Sequence, residues 1–199
     1  MTRVHELLRA DGIVIAANRD ADDRRLVHTE CARLARRMRE RLVHTLGLVP
    51  AADDVAVPAV AIELGRALAD KRGSVVGIID VLAGWRCAPA LIESAARSDN
   101  LPVKSWVLPN LALITPRARG VGAMIQELAG MLLEQAVAFS DMVVDLTGVN
   151  HLGEQLSAFD LLDGVAVVAR SGRTTTREIR RLLSEIPARR GLGVLLTGL

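Results

Sequence analysis

The sequence predicts an α/β protein with a mostly parallel sheet that is flanked by helices on both faces. Short apolar runs alternate along the chain with longer segments of helical periodicity, which is typical of βαβ units. The runs SVVGIID (74–80) and DMVVDL (141–146) are nearly free of polar residues until an aspartate at or near their end. Continuous apolar runs suit strands that are buried on both faces of a parallel sheet. With 199 residues, half of them hydrophobic, the chain is long enough to bury the core of one such domain.

The predicted elements follow one another from the N-terminus. A strand or buried edge at 12–17 precedes a long helix at 22–46, where Asp22 and Asp23 suit the N-cap and the first turn. Thr175 and Glu178 have the spacing of a capping box at the start of the last helix. The other expected elements are strands at 46–49, 74–80, 111–115, 141–146, 164–169 and 193–196, and helices at 57–70, 89–97, 121–139, 151–161 and 175–186. We interpret residues 1–45 as a helical lead-in and 46–199 as one compact α/β unit.

Composition excludes several classes of function. The chain has no tyrosine, two phenylalanines and two tryptophans, so it offers no tyrosine to phosphorylate and few rings on which single-stranded nucleic acid could stack. A formal charge of +2 does not by itself indicate a nucleic-acid partner. Two cysteines and four scattered histidines predict neither a disulfide framework nor a metal site. No apolar run reaches the length of a membrane span and the first residues do not read as a signal peptide, so we expect a cytoplasmic protein.

The common motifs of nucleotide, hydrolase and zinc chemistry are missing from the sequence. The patterns G-x-x-x-x-G-K-[ST], G-x-G-x-x-G, G-x-S-x-G, C-x-x-C and H-E-x-x-H occur nowhere. Each of these chemistries needs its residues at a fixed spacing, so the sequence gives no support to a function of any of these kinds.

Several stretches nevertheless form a recognisable series. ECARLAR (30–36) lies in the first long helix, AVAIELGRALADK (59–71) precedes SVVGIID, MVVD (142–145) lies in a strand, and DGVAVVARSGRTT (163–175) follows downstream. In this order they resemble the bacterial tyrosine kinase (BY-kinase) family of exopolysaccharide and capsule biosynthesis, within the wider MinD/ParA-like group of P-loop proteins. The first stretch is similar to the family's E-x-x-R-x-x-R helix, and the last, which is the most specific, to D-G-V-x-x-V-V-R-x-G-x-T-T. The resemblance spans about residues 30–199 and implies a P-loop NTPase-like fold.

The departures from this family fall on its phosphate-binding machinery. The P-loop corresponds to PAADDVAVP (50–58), which holds Asp53 and Asp54, while Val57 takes the place of the phosphate-binding lysine. A phosphate cradle needs free N–H groups, close backbone approach and a cation, whereas two carboxylates repel phosphate. The resemblance further places Asp80 in a D-x-D motif whose second position is leucine, and Asp145 in the Walker B strand. These positions, with Arg170 and Arg173, are predicted to be a vestigial nucleotide site with a degenerate phosphate loop.

Each group of residues has a structural interpretation beside the functional one. Glu30, Arg33 and Arg36 form either a solvated helix face, a subunit or partner interface as the resemblance implies, or a basic surface for nucleic acid or lipid. Asp80 and Asp145 either cap a neighbouring helix or remain from a ligand site. The loop after the strand at 164–169 serves either folding or a partner.

The resemblance predicts a non-catalytic relative of these kinases. We expect no catalytic residue and no cofactor, in particular no ATP or Mg²⁺. Expected partners are further copies of the chain and a membrane polysaccharide co-polymerase of the Wzz/Wzc type, or a related kinase, with recruitment to the inner membrane face only through that partner. The alternatives are a MinD/ParA-like spatial organiser of a surface appendage or of cellulose synthesis, a divergent ATPase using Arg86, Arg170 or Arg173, and DNA binding through the first long helix.

Overall fold

The computed structural model describes residues 21–70, 74–81, 103–116, 124–149 and 155–198. The expected strand at 12–17 and helix at 89–97 lie outside these residues. Within them the helices are α1 (Ala21–Glu40), α2 (Val57–Ala69), α3 (Met124–Gln135), α4 (Gln155–Asp160) and α5 (Thr176–Glu185). The strands are β1 (Thr45–Pro50), β2 (Val76–Asp80), β3 (Val103–Leu108), β4 (Leu111–Thr115), β5 (Asp141–Asp145), β6 (Gly164–Arg170) and β7 (Gly191–Thr197).

The strands form one sheet in the order β3-β4-β2-β5-β1-β6-β7. Every neighbouring pair is parallel except β3 and β4 at one edge. All five residues of β2 and four of the five residues of β5 are buried, as expected for strands covered on both faces. The predicted α/β class, with a mostly parallel sheet between helices, is confirmed.

Two apolar layers cover the two faces of this sheet. Alternate strand residues such as Leu48, Ile78 and Val143 pack with α1 and α2, and we call this side the α1/α2 face. The intervening residues, such as Val49 and Val144, pack with α3, α4 and α5 on the opposite face, the α5 face. Because side chains alternate along a strand, the face of each strand-end residue follows from its register.

The first helix is shorter than predicted. It ends at Glu40 instead of continuing to 46, and β1 begins at Thr45. Leu42 adopts a left-handed φ of 53°, while the N–H of Val43 donates to the carbonyl of Met38 and that of Leu42 to the carbonyl of Arg39. This is a Schellman termination with leucine where glycine is usual, so the sequence carries none of the usual stop signal.

The edge strand β3 is not among the predicted elements. Lys104 and Trp106 are exposed, while Ser105 and Val107, which alternate with them, are half-buried. This alternation is typical of a strand at a sheet edge, and a search for continuous apolar runs does not detect it.

Candidate functional site

The predicted vestigial nucleotide positions meet at the carboxyl edge of the sheet. Strands β1, β2, β5 and β6 are mutually parallel, so their carboxyl ends and the loops that follow them lie together. The alternation of side chains places Asp80, Asp145 and Arg170 on the α1/α2 face, where α2 begins. In open α/β sheets this edge is where ligands bind.

Hydrogen bonds hold both ends of the loop at 51–56, between β1 and α2. The N–H of Ala51 donates to the carbonyl of Val168 at 2.8 Å, and that of Val57 donates to the carbonyl of Val55 at 3.0 Å. Val57 is the first residue of α2 and is fully buried in the core. Pro58 follows in the first turn and has no N–H. The position matched to the phosphate-binding lysine therefore carries an apolar side chain that points into the protein.

The charged groups nearest to this loop pair with each other. One guanidinium nitrogen of Arg170 lies 3.4 Å from a carboxylate oxygen of Asp54, and the two side chains are 29% and 50% exposed. The contact joins the end of β6 to the loop after β1 across 116 residues of sequence. A phosphate approaching this loop would meet the Asp54 carboxylate and would have to compete with it for Arg170.

Asp80 and Asp145 lie side by side on neighbouring strands. They are register partners in the β2–β5 pair and are 4% and 2% exposed. The Asp145 carboxylate accepts hydrogen bonds from the N–H of Thr147 at 2.8 Å and from its hydroxyl at 2.6 Å. This carboxylate thus holds the turn directly after β5, which is a local form of the capping role considered from the sequence.

The last part of the stretch 163–175, which carries the most specific resemblance in the sequence, builds the turn between β6 and α5 at residues 170–175. Gly172 has a φ of 72°, a conformation that favours glycine, and the N–H of Arg170 donates to the Thr174 hydroxyl at 2.7 Å. Thr175 caps α5 in a complete capping box with Glu178, as predicted. Hydrogen bonds from the hydroxyl and N–H of Thr175 lower the pKa of the Glu178 carboxyl. Most of the family-like residues in this segment therefore have a folding role, and Arg173 is exposed on the turn.

The charged residues of α1 lie away from this edge. Arg33 contacts Glu30 at 2.5 Å, and Arg36 contacts Glu40 at 2.8 Å. The side chains of Arg33 and Arg36 are more than 70% exposed. On the buried side of the helix, the pKa of the Cys31 thiol is raised chiefly by burial and further by the Glu63 and Glu30 carboxylates, so this thiol is unreactive.

Two further arginines attach α1 to the sheet. Arg37 donates to the carbonyl of Leu192 and Arg41 to that of Gly191, both in the edge strand β7. Among the described residues no three metal-ligating side chains come together, and no helix has the length and apolarity to cross a membrane.

The structure brings Asp54, Val57, Asp80, Asp145 and Arg170 to one edge and leaves Glu30, Arg33 and Arg36 on a separate surface. The sequence analysis did not anticipate the Asp54–Arg170 pair, because no local pattern connects residues so far apart. It also did not assign Thr174 its contact with the Arg170 backbone.

Comparison with known proteins identifies the fold. No family model matches the sequence, and no curated protein matches it either. Among solved structures, the chain is similar to the BceF tyrosine kinase domain, with 16% identity over 97% of this chain and 88% of that one and a TM-score of 0.64. The VpsO kinase domain matches with 14% identity over 90% of this chain and all of that chain, with a TM-score of 0.60. A ParA-family ATPase from Chlorobium tepidum matches with 18% identity over 77% and 73% of the two chains and a TM-score of 0.55.

These likenesses show that the chain has the fold shared by BY-kinase domains and ParA-type ATPases. They agree with the resemblance drawn from the sequence, which named the same two groups.

Proposed function

We propose that this protein is a non-catalytic relative of the BY-kinases, a pseudokinase, that regulates or assembles a bacterial exopolysaccharide biosynthesis and export system. One observation carries the proposal: the loop matched to the phosphate cradle holds two carboxylates and no cation. A buried Val57 replaces the lysine, Pro58 lacks an N–H group, and Asp54 pairs with Arg170. The fold is kept while the groups that bind phosphate are replaced.

Calorimetric titration with ATP and with ADP, each with Mg²⁺, tests the non-catalytic half of this proposal. We expect no binding heat and no change in melting temperature, because the loop presents carboxylates instead of a cation and free N–H groups. Micromolar binding, or ATP hydrolysis that depends on Asp145, would refute it.

In this proposal the working surface is α1, through Glu30, Arg33 and Arg36. The ion pairs at these residues are exposed and intrahelical, so each stabilises the chain by only about 0.3–0.5 kcal/mol. Replacing these ion pairs by contacts with a partner would therefore reduce the stability of the fold only slightly. The partner is a second copy, a related kinase or a membrane polysaccharide co-polymerase, at the cytoplasmic side of the membrane.

Sedimentation velocity of the double variant Arg33→Glu/Arg36→Glu tests this surface. We expect the wild-type chain to self-associate with rising concentration and the variant to remain monomeric. The matched control reverses two exposed arginines of α5, Arg177→Glu/Arg180→Glu, and should associate as the wild type does. A wild-type chain that stays monomeric, or an equal loss in the control, would contradict self-association through α1.

A ParA-like spatial organiser is the second candidate, supported by the fold shared with the ParA-family ATPase. That role requires nucleotide-driven dimerisation, so the same titration separates the two candidates. Sedimentation repeated with Mg-ATP would reveal a dimer only in the ParA-like case.

A further inference from the structure

A recess lies at the carboxyl edge of the sheet, on the face opposite to Asp80, Asp145 and Arg170. Its volume is about 500 Å³, a size that suits a small organic ligand. Its apolar wall includes Val49, Leu146 and Leu182, all of which belong to the core layer of the α5 face. Asp80, Asp145 and Arg170 lie on the other face of the sheet. The recess is also lined by residues 50–53, the first part of the segment matched to the P-loop, so it adjoins the predicted nucleotide site there.

The charged side chains of this recess give it a negative character. Glu178 and Glu185 contribute carboxylates and Arg181 a guanidinium, so these three side chains together carry a formal charge of −1. The Asp53 carboxylate also lines the recess, but it has an interaction of its own and is left out of this sum. The capping hydrogen bonds that lower the pKa of Glu178 keep that carboxyl ionised at neutral pH. A nucleotide or another phosphate compound would be repelled, whereas a cation would be attracted.

An independent observation at the same place is the amide of Gln155. This side chain lines the recess and is 92% buried, since 8% of it is exposed, and its Nε2 is buried with no hydrogen-bond partner among the residues that the structure describes. An unpaired buried donor is unfavourable, and native proteins rarely keep one without a reason. The glutamine side chain has rotatable bonds that let its amide turn toward the recess and donate to an oxygen placed there.

From the carboxylates and this amide we infer that the recess on the α5 face is a binding site for a small organic cation that also carries an oxygen acceptor. The cation is held by Glu178 and Glu185, and the Gln155 amide donates to a carbonyl or hydroxyl oxygen of the ligand. The inference does not rest on the proposed function, because it needs neither phosphate binding nor a partner protein.

Nuclear magnetic resonance titration with N-acetylargininamide tests this site directly. The probe joins a guanidinium to amide carbonyls, and N-acetylcitrullinamide has nearly the same shape without the charge. We expect the side-chain amide resonances of Gln155, assigned by their loss in Gln155→Leu, to shift saturably with the first probe. Binding of the second should be at least about tenfold weaker. ADP with Mg²⁺ should leave these resonances in place, which separates this test from that of the proposed function.

Two variants and a matched control complete the experiment. Gln155→Leu should weaken the probe by about three- to tenfold through loss of the hydrogen bond. Glu185→Gln, at an exposed position that tolerates change, should weaken it by a similar factor, while the exposed Glu134→Gln on α3 should have no effect. The inference is overturned if the Gln155 resonances do not shift, if both probes bind equally, or if Glu134→Gln weakens binding as much as Glu185→Gln.

Discussion

A Val57→Lys substitution would place lysine where the family resemblance puts the phosphate-binding cation, and we expect it to destabilise the domain instead of creating a nucleotide site. Val57 is fully buried at the start of α2, so its replacement forfeits about 1.5–3 kcal/mol of apolar burial. The lysine ammonium must then lose water, lose its proton or force the first helical turn open to reach solvent. Together we expect a loss of about 3–5 kcal/mol, a large part of the 5–15 kcal/mol that is usual for a domain.

Urea unfolding followed by far-ultraviolet circular dichroism measures this loss. Val57→Thr keeps the shape of the side chain and buries one hydroxyl, so it should cost about 1–3 kcal/mol. Gln126→Lys adds the same charge at an exposed position of α3 and should change stability by less than about 0.5 kcal/mol. If Val57→Lys cost less than about 1 kcal/mol, or if it gave Mg-ATP binding in calorimetry, residue 57 would not point into the core, and the argument against phosphate binding at this loop would fail.

Three further predictions concern contacts in the rest of the chain. Folding lowers the pKa of Glu178, so this carboxylate stabilises the domain above its unfolded pKa, and the stabilisation is lost as the pH falls through its folded pKa. Thr175→Val should raise the folded pKa of Glu178, measured by carbon-detected NMR titration, and should make the free energy of unfolding less dependent on acid pH. Cys31 should resist iodoacetamide at pH 8 in the folded protein and react once unfolded in urea, as read by peptide mass spectrometry; rapid labelling of the native chain would contradict its burial. A double-mutant cycle between Asp54→Asn and Arg170→Met should give a coupling energy below about 1 kcal/mol that declines with added salt, and a coupling insensitive to salt would rule out an ion pair.

The parts of the fold that follow from local pattern were predictable. The buried strands β2, β5 and β6 are continuous apolar runs, and the capping box of Thr175 and Glu178 can be recognised from a local pattern of four residues. The end of α1 was not, because a leucine occupies the left-handed position where glycine normally signals the stop. The edge strand β3 was not predicted either, because half of its side chains face solvent.

For the candidate site, the sequence predicted which residues lie at the carboxyl edge of the sheet, but not which of them contact each other. Parallel strands bring Asp80 and Asp145 together, and this follows once the order of strands is known. Tertiary packing between distant segments creates the Asp54–Arg170 pair and buries the amide of Gln155. Neither can therefore be predicted from the spacing of residues in the sequence.

The distribution of family-like residues bears on how such a chain should be classified. The sequence stretch 163–175 carries the most specific resemblance to the kinase family, yet in its last part Gly172 provides a positive φ and the threonines hold the backbone of β6 and the start of α5. These structural roles do not require a bound nucleotide. By contrast, the loop at 51–56 and the first turn of α2 fold here with alanine, valine and proline. The fold therefore does not require the lysine and glycines of a P-loop at these positions. The loop with its buried Val57 and the Asp54–Arg170 pair is therefore the place where the proposed loss of nucleotide binding has to be tested.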